Sequence, residues 1–241
     1  MATTPTDSNP VTEYTQIISL AVHEMRTPAS VVGGYLRMLL SDTGTPLDPR
    51  HRRMLEEAEK SCGRLVGLLS ELSDLAKLDA GTAAVRHERF DIFELVRELA
   101  SNVHEGDDRE VRLEPQGLAV GALVEGDRMR IRSSLECVMR AVMREQPSST
   151  VVVLDTQRVH DDGGRPVARI VVAPAADVAR AAATRAGTFE DQRGGLGLGL
   201  PLARRVVTRH GGQIWSPVPT DGSELPLGAR GAIVVTFPLL E

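Results

Sequence analysis

The chain has 241 residues, enough for one large domain or two small ones. Hydrophobic residues make up 41% of it but aromatics only 3%, so a core has to be built from Leu, Val, Ile, Ala and Met. The net charge of -5, with both signs interspersed, argues against a nucleic-acid or membrane-surface binder. No apolar run approaches the roughly 20 residues that span a bilayer, so no membrane span is expected. The N-terminus lacks a basic-then-apolar signal pattern. Cys62 and Cys137 are expected as reduced core residues of a cytoplasmic protein. Residues 1–11 are polar and carry two prolines, and a disordered tail is expected there.

From Thr12 to Leu40 apolar residues recur at helical spacing, among them Ile18, Val22, Met25, Val32, Leu36 and Leu39. The stretch Ser41-Asp42-Thr43-Gly44-Thr45-Pro46 breaks the pattern. A second helix is predicted from Pro49, a favourable first-turn residue, to Leu78, with Gly81 as its stop signal. Its apolar stripe, from Met54 through Cys62 and Leu69 to Leu75, is close to a heptad. Residues 12–80 are therefore expected to form a helical hairpin. A hairpin alone buries two apolar stripes poorly. Pairing with a second copy, as a homodimer with a four-helix bundle, is the expected solution.

From Glu88 the texture changes. A helix is predicted over Phe90–Val103, short strands over Val111–Leu113 and Leu118–Val124, and a helix over Asp127–Arg144. Strands over Val151–Leu154 and Ala168–Val172 flank an Asp161-Asp162-Gly163-Gly164 turn. A helix over Leu198–His210 and a strand over Gly231–Leu239 close the chain. Residues 88–241 are expected as an α+β sandwich, a mixed sheet with helices on one face.

The first helix carries His23-Glu24-Met25-Arg26-Thr27-Pro28. An imidazole near neutral pH offers an uncharged nucleophilic nitrogen. Glu24 can hold or remove a ring proton. Thr27 lies one helical turn from His23, so both serve one patch of surface. Pro28 cannot donate to the backbone ladder and bends the helix. This segment resembles the phosphoacceptor box of two-component sensor histidine kinases. The resemblance implies that His23 takes a phosphoryl group, that Glu24 acts as its acid–base partner, and that Thr27 orients a water for dephosphorylation of a response regulator. The other histidines, His51, His87, His104, His160 and His210, have no metal-ligand spacing, and no metal site is expected. His210 is expected to cap the helix before it.

A second resemblance lies in Gly194-Gly195-Leu196-Gly197-Leu198-Gly199-Leu200 and the helix and His210-Gly211-Gly212 turn that follow. This run is similar to the second glycine box of the histidine-kinase ATP-binding domain, where Gly195, Gly197 and Gly199 would let the backbone approach nucleotide phosphates. Phe189-Glu190 resembles the short aromatic box before it. Together the resemblances run from Thr12 to Glu241 and imply an acceptor hairpin followed by an ATP-binding-type fold.

Two departures stand against a working nucleotide site. The family's asparagine box, which binds magnesium and phosphate, would fall on the helix after Asp127, but that helix has no Asn. Glu136 and Arg140 stand at the two positions, and a guanidinium cannot ligate a cation. An i,i+4 ion pair on a solvated face is the expected alternative. The family's first glycine box is replaced by Ala173-Pro174-Ala175-Ala176-Asp177, which has lost both glycines and displaced the acid. The phosphate cradle is thus expected to be vestigial, with no cofactor of the chain's own, and the magnesium for phosphotransfer is expected from the receiver domain of a response regulator partner. The resulting expectation is a two-component signalling protein that exchanges phosphate between His23 and a receiver aspartate. Two alternatives stay open at this level: an active ATP-dependent kinase with a divergent site, and a non-catalytic dimeric adaptor that binds a regulator.

Overall fold

The computed structural model describes residues 10–44, 47–105, 107–195, 197–217 and 231–240. They fall into two compact units that meet at residues 83 and 84. The tail expected over 1–11 lies outside the described residues, except that Pro10 and Val11 already belong to the first helix. Leu196 of the glycine run and Glu241 also lie outside them.

The first unit is a helical hairpin of α1 (Pro10–Ser41) and α2 (Pro49–Asp79). Helix α1 continues through Pro28. Asp48 caps α2 by accepting from Arg50 N at 2.8 Å, and Pro49 stands in the first turn, where its missing N–H costs nothing. The seam is built from Val22, Ala29 and Leu69, with Ile18, Val66 and Leu72 against them. Small residues let the helices approach: a Cβ on Gly33 would come within 3.2 Å of Cys62 Sγ, which donates to Ala29 O at 3.1 Å. Cys62 and Cys137 are half-buried rather than in the core, and no disulfide joins them. The seam uses only part of each stripe. Ile17, Leu20, Val31, Tyr35, Met54 and Leu65 remain exposed in the single chain.

The second unit opens with a two-stranded antiparallel ribbon of β1 (Glu88–Asp91) and β3 (Leu123–Gly126). Between them come α3 (Ile92–Asn102) and β2 (Arg112–Gly117). Then follow α4 (Arg128–Arg144), β4 (Val151–His160), β5 (Pro166–Pro174), α5 (Val178–Ala182), α6 (Gly199–Arg209), β6 (Gln213–Trp215) and β7 (Ile233–Pro238). The main sheet has the order β2-β4-β5-β7-β6. It is mixed: β2 and β4 run parallel and the other neighbours antiparallel. The hairpin and the mixed α/β sheet agree with the expected fold class.

Several boundaries differ from expectation. The helix predicted from Phe90 starts at Ile92, because Phe90 and Asp91 pair with Val124 and Leu123. Asp91 caps α3 through Phe93 N at 2.9 Å. The strand predicted from Leu118 starts at Leu123. Helices do not all lie on one face. Along β5, Ile170 and Val172 point to one side and Val171 and Ala173 to the other. Helix α5 covers this second side, packing Ala181 with Val171, Ala173, Trp215 and Val234.

Candidate functional site

Val22 and Ala29, seven residues apart on α1, face the seam. His23 is turned about 100° from Val22 and stands out from it, its side chain 76% exposed. Its Nδ1 lies 3.3 Å from Glu24 Oε1, so the acid predicted to hold a ring proton is within reach of one nitrogen. Nε2 has no protein partner among the described residues. Thr27, one turn along, is also exposed. Arg26, between them, donates through Nη2 to Ser70 Oγ on α2 at 3.4 Å. This tie across the hairpin beside the histidine is a contact that sequence spacing does not reveal.

The glycine run has a different setting. Gly194, Gly195 and Gly197 have φ of 69°, 61° and 61°, left-handed values that a side chain resists. A Cβ on Gly194 would meet Ala141 Cα at 2.9 Å, so the run lies directly against α4. Gly199 opens α6. Glu145, the C-cap of α4, holds the run in place. Its carboxylate accepts from Gly194 N at 3.0 Å and from Arg193 Nε at 3.0 Å, with a further bond from Arg193 Nη2. The Arg193 side chain is only 3% exposed, and its Nη1 reaches Ser216 Oγ and Ala232 O, each at 3.4 Å. One buried guanidinium thus joins the end of α4, the glycine run and the segments flanking β6 and β7.

On α4 the predicted i,i+4 pair forms, with Arg140 Nη2 2.9 Å from Glu136 Oε1. It is half-buried and extends further. Arg140 Nη1 donates to Glu105 Oε2 at 3.1 Å, and Arg144 Nε donates to Glu105 Oε1 at 2.9 Å. Burial works against the Glu105 charge, but the bonds from Arg144 and Arg140 outweigh it and hold the carboxyl below its ordinary range. Arg144 Nη1 also reaches Gly195 O at 3.4 Å. At the first glycine position of the resemblance, Ala173 is fully buried in β5, and the Asp177 carboxylate is held by Arg180 at 2.7 Å.

His210 is the C-cap of α6, and its Nδ1 lies 2.7 Å from Val206 O. Its Nε2 accepts from Asp127 N at 3.0 Å, so the neutral ring is built into the start of α4. Gly126 packs on the imidazole so closely that a Cβ there would meet Cδ2 at 2.4 Å. Burial pushes the His210 pKa down from its ordinary 6.5 despite the neighbouring Asp127. Protonation would cost the bond from Asp127 N. The stabilisation is therefore complete above pH 6.5 and is lost as pH falls below that value. Urea unfolding at pH 8 and pH 5.5 checks this: the wild type should lose more stability than His210→Gln over that interval, and equal losses would refute it. Among the described residues no group of three or more His, Cys, Asp or Glu side chains could hold a metal ion. No helix among them is long and apolar enough to cross a membrane.

An exposed histidine with an adjacent acid on a long hairpin, followed by a mixed sheet with helices, is the arrangement that the resemblance to histidine kinases implies. Comparison with known proteins agrees. Residues 14–81 match the His Kinase A (phospho-acceptor) domain. The chain is 26% identical over 210 residues to the circadian input-output histidine kinase CikA of Synechococcus elongatus, covering 83% of this chain and 27% of that protein. It is 27% identical over 213 residues to the phosphate regulon sensor protein PhoR of Pseudomonas aeruginosa, covering 83% of this chain and 46% of that one. The fold matches the crystal structure of full-length ShkA in complex with AMPPNP, with a TM-score of 0.67 at 22% identity, over 93% of this chain and 46% of that one. Residues 14–81 thus belong to the His Kinase A phospho-acceptor family, and the comparisons support a two-component sensor histidine kinase relationship for the chain. The chain spans less than half the length of these relatives.

Proposed function

We propose that this chain carries phosphoryl groups on His23 and exchanges them with the receiver aspartate of a response regulator, its own nucleotide site being degenerate. The observation that carries the reading is the exposed His23 with Glu24 against Nδ1. With Nδ1–H held by Glu24, Nε2 has the lone pair that attacks phosphorus. The P–O bond of the aspartyl phosphate breaks and the aspartate leaves as a carboxylate; the reverse step returns the group. The receiver supplies the magnesium that offsets charge on the phosphoryl oxygens. Thr27, one turn away on the same face, is set to orient a water in the hydrolytic direction.

On this reading the residues of the ATP-binding-like domain, 88–241, do not fit a magnesium–nucleotide complex. Glu136 is neutralised by Arg140, Arg140 is a cation with no lone pair, and Arg144 reaches the carbonyl of Gly195. The glycines Gly195, Gly197 and Gly199 then serve the turn into α6, pinned by Arg193 and Glu145. The hairpin over 12–80 dimerises through the uncovered apolar residues of α1 and α2. The protein works in the cytoplasm, in keeping with two cysteines outside any disulfide.

The test is incubation of the purified chain with labelled Mg-ATP, and separately with a labelled phosphorylated receiver. Label from the receiver and none from ATP is expected. Label from ATP would replace this reading with that of a working kinase, which the left-handed glycines Gly194, Gly195 and Gly197 favour. Thr27→Ala should lower receiver dephosphorylation at least tenfold while leaving transfer to His23 within twofold; equal loss of both would refute the water-orienting role.

A further inference from the structure

The outer face of the main sheet, which α5 covers only in part, holds a cavity of about 370 Å³. It belongs to neither the His23 surface nor the side of the sheet under α4. Its position follows from register. Arg169 sits on the central strand β5, paired with Gln157 of β4 on one side and Thr236 of β7 on the other. All three point to the face on which Val171 and Val234 meet α5. The cavity is lined by Arg169 and Thr236 together with Val159, Val167, Thr184 and Trp215.

The Arg169 guanidinium is incompletely paired. Arg169 forms no ion pair among the described residues. Its Nη2 donates to Gln157 Oε1 at 2.5 Å, a neutral amide. Its Nε is buried and has no acceptor. The nearest acid on the same face, Asp155, accepts from Gln157 Nε2 at 2.6 Å. Burial lowers the Arg169 pKa, with the Asp155 charge only partly offsetting it. A guanidinium partly withdrawn from water, with its Nε buried and one bond to a neutral amide, is stabilised when an anion completes it. The planar fork is suited to two parallel bonds to a carboxylate.

The walls define the rest of the ligand. Val159 and Val167 give an apolar side. Trp215 presents an indole fixed by its Nε1 bond to Thr184 Oγ1 at 2.9 Å. Asp161, Asp162, His160 and Arg185 stand in the lining as well; Asp161 is paired with Arg165, and the two acids oppose a doubly charged phosphate more than a singly charged carboxylate. The volume suits one small organic molecule.

We infer that this cavity is a binding site for a small organic carboxylate, with Arg169 holding the carboxylate and Trp215 and the valines holding its apolar body. The site gives a soluble metabolite a place to bind within the ATP-binding-like domain itself.

Trp215 is the only tryptophan in the chain, so its emission reports on this cavity alone. The experiment titrates the full chain with phenylacetate, phenylacetamide and inorganic phosphate while following tryptophan fluorescence. Phenylacetate should give a saturable change, with phenylacetamide and phosphate at least tenfold weaker. Arg169→Met, which keeps an unbranched apolar stem and removes the guanidinium, should weaken phenylacetate at least tenfold while its circular dichroism stays that of the parent. Should the variant fail to fold, the comparison of phenylacetate with phenylacetamide on the wild type decides alone. No change with phenylacetate, or equal binding of the amide, overturns the site; tighter binding of phosphate overturns the ligand class.

Discussion

His23→Ala is expected to take up no phosphoryl group from a phosphorylated receiver, while unfolding in urea at the same midpoint as the parent chain. Both halves follow from one geometry. The His23 side chain is exposed, and its one partner is the equally exposed Glu24 beside it. Removing it uncovers no cavity and strands no buried group. Alanine is also the better helix former, so the stability change should stay within about 0.5 kcal/mol. Chemistry is lost outright, because His23 is the one histidine of α1, while His51 is on α2 and His210 has both ring nitrogens engaged. The assay measures label on the protein by acid-stable and acid-labile counts, beside a urea titration. Undiminished label on His23→Ala would move the acceptor elsewhere. Loss of label together with loss of stability would make the histidine a structural residue.

The largest stability effect should come from a residue of the second unit. Glu145→Ala is expected to cost about 3–5 kcal/mol, the range for removing one partner of a buried ion pair. The reason is the state left behind rather than the bonds removed. Arg193 is 3% exposed, and without Glu145 it would lose the carboxylate that accepts from its Nε and Nη2. Gly194 N would lose its acceptor as well. The double variant Glu145→Met, Arg193→Met removes both charges and should recover a large part of the loss. Urea unfolding of the three proteins measures this. A single-variant loss under about 1 kcal/mol would show that the pair behaves as a solvated surface bridge.

These two residues mark what the sequence could and could not disclose. The long helices were legible because their apolar stripes extend over many turns, from Ile18 to Leu36 and from Leu55 to Leu75. The cap at Asp127 and the Glu136–Arg140 pair are local and follow from spacing. The histidine and its acid are adjacent. By contrast, β1 is four residues whose partner lies beyond an intervening helix and strand, and β6 is three residues long. Helix α5 is one alanine-rich turn that is stabilised by packing on Val171 and Trp215 rather than by its own propensity. Glu145 and Arg193 are separated by 48 positions, and Glu105 bridges two arginines from outside α4. Such pairs are set by the sheet topology that brings the glycine run onto α4, and no periodicity announces them.

The outer strands of the main sheet bear on how copies of this chain can meet. One edge is β2, where Pro115 interrupts the row of backbone donors. The other is β6, only three residues long. Neither offers an uninterrupted ladder to a neighbouring strand, so edge-to-edge growth into aggregates is disfavoured at both ends. The homodimer proposed above would then rest on side-chain packing between helices, which can close after two copies, rather than on pairing at the edges of this sheet, which has no natural end.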